Sequence, residues 1–384
     1  SLPIDWKFLT GYERDIGGAA WGNEINYKAP FLDVSKSKNA DIYRKEIGEI
    51  VASGGAQKTN ESAQAHFKAH FGDGITRDYM DKAIAARQHQ SAEDTHWLAA
   101  MVQGLRRVSL DDEAIVLKNY KTPEYSARIG FPDQYTYPKD IIPAKRGYYP
   151  KRVGLGRVID AIAADLLARG VTILTGAKLK NSSVSGPDIS AVTIAHSDGT
   201  EHRYDVNRLV CTAPLPAFLF TLDDRPPPQP FLPAHQTVIV NLISKTPPKD
   251  GGLYYYFWHG HERIHRVSFP YNYSNEDPRQ RGYAICTECV YPRGDDVSSA
   301  PETVIKGLVE SGVIDGPDSV IFRDHFVTVG GYPNLSLGNV EGLSFYRNFM
   351  QERGFSNFDS VGILAREDLF FQFDLIKHAH ETLV

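Results

Sequence analysis

The sequence predicts a mixed α/β chain, α+β in its arrangement, and three stretches predict it. Between Leu155 and Pro214 a helical apolar pattern gives way to a short strand, a hairpin and a buried strand, a compact α/β unit. Residues 236–290 are loaded with Tyr, Phe and β-branched residues in short runs, the composition of an antiparallel sheet. Residues 38–118 carry helical periodicity instead. A length of 384 residues fits two packed domains, or one α/β body with an insertion.

Composition removes several function classes. Hydrophobic residues make up 42% and charged residues 23%, ordinary globular usage, which excludes disorder, collagen and coiled coil. Lys+Arg 42 against Asp+Glu 47 gives −5, and a duplex-binding protein shows a basic excess, so no nucleic-acid partner is expected. No apolar run reaches the roughly 18 residues of a membrane span, so no transmembrane segment is expected, and no signal peptide opens the chain. Three cysteines build no disulfide framework, which suits a cytoplasmic protein.

In chain order, Trp6–Leu9 and Trp21–Ile25 read as short strands, the second with hairpin chemistry at Gly22-Asn23. Ala65–Phe71 reads as a helix stopped by Gly72, with more helix over 77–87 and 96–103. Tyr120 to Pro150 is a Pro- and Tyr-rich extended connection. Leu155, Val158, Ile159, Ile162, Leu166 and Leu167 fall at helical spacing, and Gly170 sits at the left-handed C-cap. Val171–Leu174 reads as a strand, 176–183 as another, and Val192–Ile194 runs to a turn at Ser197–Thr200. Arg208–Thr212 is an apolar strand ending at Ala213-Pro214. After a Pro-rich hinge at 225–233 come strands at 236–244, 253–258, 264–269 and 282–290. A helix at 301–312, a strand at 318–330, a helix at 341–353, a strand at 360–364 and a helix from Asp374 close the chain.

Of the chemistry-bearing residues, Cys286 and Cys289 form a CxxC, but on a strand they face opposite sides and no second pair completes a zinc site. His66 and His70 lie at i, i+4 with no carboxylate third ligand indicated, and read as a helix face. His259, His261 and His265 crowd the loop before a strand and read as solvated. No metal site is expected. Gly154-Leu155-Gly156 lacks a third glycine and a preceding strand, so it is no dinucleotide fingerprint. The aromatic sheet is the candidate site: Tyr254 to Trp258, Arg266, Tyr271 to Tyr273, and Tyr332-Pro333. An Arg fork grips phosphate at two points, and Tyr offers a flat apolar face with a hydroxyl. Tyr255, Arg266, Tyr271 and Tyr332 are therefore candidate substrate-binding residues, with cross-strand sheet stabilisation as the alternative reading of the aromatics.

The string from Tyr149-Pro150 to Pro216, with Gly154–Gly156, Gly170-Val-Thr-Ile, Leu179, Asp198-Gly199-Thr200 and Val210 to Pro214, resembles the flavoprotein superfamily of amine oxidases, protoporphyrinogen oxidase and UDP-galactopyranose mutase. The resemblance implies FAD as cofactor, with the Leu179 strand at the adenine and the Thr212-Ala213-Pro214 turn against the dinucleotide. Gly362 to Arg366, then Asp374-Leu375, resembles the superfamily's closing motif. It implies Arg366 near the pyrophosphate and the terminal helix aimed at the flavin, where negative charge builds on reduction. Ala365 stands where that motif has glycine, and Gln372 where the mutases often have tyrosine. Ile264 to Ser268, Tyr332-Pro333 with Asn334 and Asn339, and Phe67 to Gly74 are similar to the mutases' diphosphate-holding strand, their Tyr-Pro segment and the start of their helical cap.

The resemblance implies an FAD-binding Rossmann-like domain with an antiparallel-sheet substrate domain and a helical cap. The expected division is 1–148 for the N-terminal segment and cap, 149–224 for an FAD-binding-type unit, 225–358 for the substrate sheet, and 359–384 for the closing strand and helix. The strand–GxGxxG–helix unit that opens the superfamily is missing from the sequence. Either roughly 60–90 residues precede Ser1 in a longer parent, as the missing Met suggests, or the chain does not bind FAD. The implied activity is that of an FAD-dependent, amine-oxidase-like oxidoreductase acting on a nucleotide sugar or polysaccharide precursor. The alternatives are a UDP-galactopyranose mutase-like enzyme without net redox change and a flavin-free relative acting as a binding module.

Overall fold

The computed structural model describes residues 4–9, 17–55, 62–136, 147–152, 154–249, 252–261, 263–274, 281–366, 369 and 372–383. The chain divides into two units, residues 1–165 with 233–335 and residues 166–232 with 336–384, and one boundary falls inside the helix Gly156–Ala168.

The first unit is built on a seven-stranded sheet. Its order is Val320–Tyr332, His235–Ser244, Tyr283–Tyr291, Ile264–Ser268, Tyr254–His259, Gly17–Trp21, Glu24–Asn26. All neighbours pair antiparallel except Tyr254–His259 with Gly17–Trp21. Alternation along each strand buries one face: Val238, Val240, Leu242, Tyr255, Phe257, Val267 and Ile285 pack against Ala300, Val304 and Leu308 of the helix Ala300–Glu310. The hairpin at Gly22-Asn23 forms as the sequence predicts, with Trp21 opposite Glu24 and Gly22 at φ +61°.

The helical stretch belongs to this same unit. Ala63–Phe71 starts where the Ser62 side chain accepts from the Ala65 N–H, and it ends at Gly72 with φ +90°. A π-helical turn, Thr76–Met80, leads into Asp81–Gln88, which packs on the Tyr254–His259 strand and carries Arg87 fully buried at its end.

The second unit holds an antiparallel sheet of Lys178–Ser185, Asp188–Ala195 and Glu201–Asp205, and a parallel pair of Leu209–Cys211 with Phe358–Ser360. Its core gathers Ile189, Cys211, Leu215, Phe218 and Leu219 around Tyr346 of the helix Leu337–Arg353. Two expectations change here. Val171–Leu174 forms no ladder with any described strand, and its apolar side chains stay exposed. The strand expected at 360–364 ends at Ser360, because the chain turns at Gly362 to Arg366. The helix Gly156–Ala168 forms and stops at Gly170 with φ +83°, yet it buries none of its residues. Among the described residues no helix is long and apolar enough to cross a membrane.

Candidate functional site

The sheet face opposite the apolar core carries the chemistry, and a register fault makes it. Arg266 lies across from Tyr256 on one side and Glu288 on the other, so all three side chains share that face. The ladder between Ile264–Ser268 and Tyr283–Tyr291 slips between Ile264 and Arg266. The extra residue, His265, thereby joins the Arg266 side rather than the core, which is what a β-bulge does to a side chain. The His265 ring lies 5.7 Å from Tyr256, 6.5 Å from Trp258 and 5.5 Å from Tyr332.

Polar groups on this face are buried without partners. Among the described residues, His265 Nδ1, Arg266 Nε, Trp258 Nε1 and Tyr332 Oη have no hydrogen-bond partner. His265 is 8% exposed and Trp258 2%. Each such atom costs about 1–3 kcal/mol unless something satisfies it, so four together mark a place where a ligand or water belongs. Arg266 Nη2 donates to Glu288 Oε1 in a half-buried ion pair. Burial works against the Arg266 charge, but Glu288 outweighs it and holds the guanidinium above its ordinary range. His265 is driven well below its usual value, first by burial and then by the charges of Arg87 and Arg266, so it stands as neutral imidazole. Arg87 and Arg266 thus bring two guanidinium groups to bear on this face, with Glu288 as the carboxylate paired to Arg266. Toward its other end Tyr273 reaches Tyr149 at 5.2 Å, and burial raises the Tyr273 hydroxyl to about 12.

The structure divides the predicted substrate residues. Arg266 and Tyr332 lie on the polar face. Tyr255 does not: it pairs with Val267, is 1% exposed in the apolar core, and donates its hydroxyl to the Lys249 carbonyl at 2.9 Å. Tyr256 is the tyrosine that faces Arg266, because strand side chains alternate. Tyr271 packs on the core side too, against Phe269 and Tyr283. His265, read as solvated from the sequence, is a buried strand residue. Its signal was available only as a bulge, which one sequence does not reveal. Cys286 and Cys289 do face opposite sides, Cys286 toward Ser268 and Cys289 toward Val238. No group of three metal-ligating side chains occurs among the described residues.

The predicted cofactor residues lie in the second unit. Val361 N–H donates to the Cys211 carbonyl at 2.9 Å, bringing Thr212-Ala213-Pro214 against Gly362. A Cβ on Gly362 would sit 2.6 Å from the Thr212 carbonyl oxygen and 2.9 Å from that of Ala213, so only glycine allows this approach. Leu179 lies in the antiparallel sheet, opposite Ile194. Arg366 is exposed on the following turn. Asp374 and Leu375 fall in the first turn of Gln372–Leu383, with Asp374 third in the helix rather than at its cap. A dinucleotide pyrophosphate needs a glycine loop between a parallel strand and a helix N-terminus. Among the described residues none is formed. Gly17 and Gly18 lie inside a strand, where a Cβ would strike the rings of Tyr254 and Tyr255. Gly154 and Gly156 follow Gly147–Pro150, which pairs antiparallel with Trp6–Leu9. The described residues do not make a pyrophosphate cradle.

No model of a known protein family matches the chain, and no curated protein matches it. Solved structures do. Reduced UDP-galactopyranose mutase aligns over 92% of this chain and 73% of its own, at 17% identity and a TM-score of 0.60. An oxidoreductase from Methanosarcina mazei aligns over 94% of this chain and 77% of its own, at 12% identity and a TM-score of 0.52. The chain therefore shares its fold with UDP-galactopyranose mutase, one of the flavoproteins that its motifs resemble.

Proposed function

We propose that the chain carries the substrate side of an FAD-dependent oxidoreductase acting on a nucleotide sugar or a related polysaccharide precursor. The observation that carries the reading is the bulged face, where His265, Arg266, Trp258 and Tyr332 present unpartnered buried atoms beside Tyr256. The Arg266 guanidinium suits a diphosphate. The Arg266 Nε–H donates to an oxygen of that group while Nη2 stays on Glu288, and Tyr256 and Trp258, stacked at 5.2 Å, give a flat apolar wall. Neutral His265 adds a hydrogen bond without adding charge. The Thr212–Pro214 turn lies against Gly362, and among the described residues no pyrophosphate cradle is formed.

The second reading, a sugar mutase without net redox change, is favoured by the likeness to UDP-galactopyranose mutase. A third, a flavin-free binding module, is favoured by the absence of a pyrophosphate cradle among the described residues. The test is to supply the chain with FAD in large excess, which offsets the weak flavin binding expected where no cradle forms among the described residues, together with UDP-hexoses and an electron acceptor. Acceptor consumption supports the oxidoreductase, and sugar isomerisation needing only an initial reduction of flavin supports the mutase. UDP binding with neither reaction supports the binding module, and no UDP binding removes all three.

A further inference from the structure

A large cleft of the first unit, about 1350 Å³, shares no lining residue with the tyrosine–arginine face. It lies between the Gly17–Trp21/Glu24–Asn26 hairpin, the segment 32–37, Tyr79, and the segments 109–115 and 132–135. We propose that this cleft binds a neutral oligosaccharide chain.

Size argues first. A pocket for one small molecule runs to roughly 1,000 Å³ at most, so this cleft has room for several linked rings. Its aromatic content argues next. Trp21, Tyr27, Tyr79 and Tyr135 line it, and sugar rings have an apolar C–H face that packs on such surfaces. The rings are fixed from behind. Trp21 sits 4.8 Å from both Tyr79 and His259, and Tyr27 meets the buried Tyr255 edge-on at 5.3 Å. A wall held in place before binding loses little entropy on binding.

Charge decides against the other occupants. Carboxylates outnumber cations in the lining, which disfavours phosphate, nucleotide or nucleic acid. Two of the three cations are also engaged: Lys28 pairs with Asp133 at 3.0 Å, and Arg44 with Asp111 at 3.0 Å and Asp41 at 2.8 Å, which leaves Lys36. A cationic chain fares no better. Asp111 is taken by Arg44 and by the Tyr125 hydroxyl at 2.7 Å, and Asp33 Oδ1 accepts from both the Ser35 N–H and hydroxyl. What remains is a wall of interleaved donors and acceptors between aromatic faces. A hydroxyl, donor and acceptor at once, is the group that such a wall matches.

The test titrates the chain with hexasaccharides of β-1,4-linked glucose, N-acetylglucosamine, mannose and galactose, following tryptophan fluorescence and calorimetry. At least one hexasaccharide should bind saturably, with its monosaccharide about tenfold weaker or worse. Tyr135→Ala, at a ring already 38% exposed, should weaken that binding about fivefold to tenfold at an unchanged melting temperature. Trp21→Leu should weaken it further. The proposal is overturned if none of the four hexasaccharides binds, or if binding ignores both substitutions. It is equally overturned if a hexalysine peptide binds in their place. UDP affinity should not respond to either substitution, so this result stands or falls apart from that of the tyrosine–arginine face.

Discussion

Arg266 and Glu288 face each other across neighbouring antiparallel strands, and the bulge at His265 sets the imidazole beside that ion pair instead of in the core. The pair fixes one arm of the guanidinium and leaves Nε facing an environment without protein acceptors. Stability and ligand binding therefore make opposite demands on Glu288.

Glu288→Gln should separate those demands. Losing a half-buried partner of Arg266 should cost about 1–2 kcal/mol, discounted for the pair's partial exposure. UDP affinity should rise severalfold, since a carboxylate no longer repels the diphosphate. Melting curves and UDP titration check both, and a loss of affinity alongside the loss of stability would contradict the placement.

Buried histidines should make the fold acid-sensitive well above the carboxylate range. Burial, then the neighbouring His89 charge, lowers His235 to about 4, and burial likewise lowers His70 to about 4. Unfolded, both titrate near 6.5, so between about 6.5 and 4 the unfolded chain binds protons that the native chain does not. Stability is complete above that window and declines as pH falls through it. Each histidine contributes a slope of up to about 1.4 kcal/mol per pH unit. Urea unfolding at pH 7.5, 6 and 5 should show the decline, and His235→Phe should flatten it. Asp78, held at about 2 chiefly by Arg77, acts only below this window.

Gly362→Ala should destabilise the second unit by about 1–3 kcal/mol, the cost of forcing a methyl against two carbonyl oxygens. Thermal unfolding measures it, and an unchanged melting temperature would show that the 212–214 turn and Gly362 do not meet as described.

FAD should bind this chain weakly or not at all, because no glycine loop among the described residues receives a pyrophosphate. Recovery of the chain with stoichiometric flavin after refolding with FAD would refute this.

The sequence made the elements legible wherever periodicity was strong. The aromatic strands, the Gly22-Asn23 hairpin and the helix ended by Gly72 all form. Registers were less legible. Tyr255 and Tyr256 are equivalent in composition, and only the pairing with Val267 and Arg266 decides which one reaches the polar face. His265 moved from expected solvent to buried site for the same reason, since a bulge is a property of two strands. Val171–Leu174 had the residues of a strand but no described neighbour to pair with, and a strand needs a partner. Thr212–Pro214 and Gly362 are 148 residues apart at their nearest and meet through backbone contacts that no local pattern encodes.

The most direct measurement titrates UDP and a UDP-hexose against the wild-type chain, Arg266→Lys and Tyr332→Phe, with melting curves alongside. A lysine ammonium lacks the planar fork whose separate nitrogens reach Glu288 and phosphate together, so Arg266→Lys should weaken binding about tenfold or more. Tyr332→Phe removes only a hydroxyl that has no protein partner, so it should weaken binding severalfold while stability holds or rises. If instead Arg266→Lys lowers the melting temperature and leaves UDP affinity untouched, Arg266 serves only its ion pair with Glu288. The tyrosine–arginine face would then not be the substrate site.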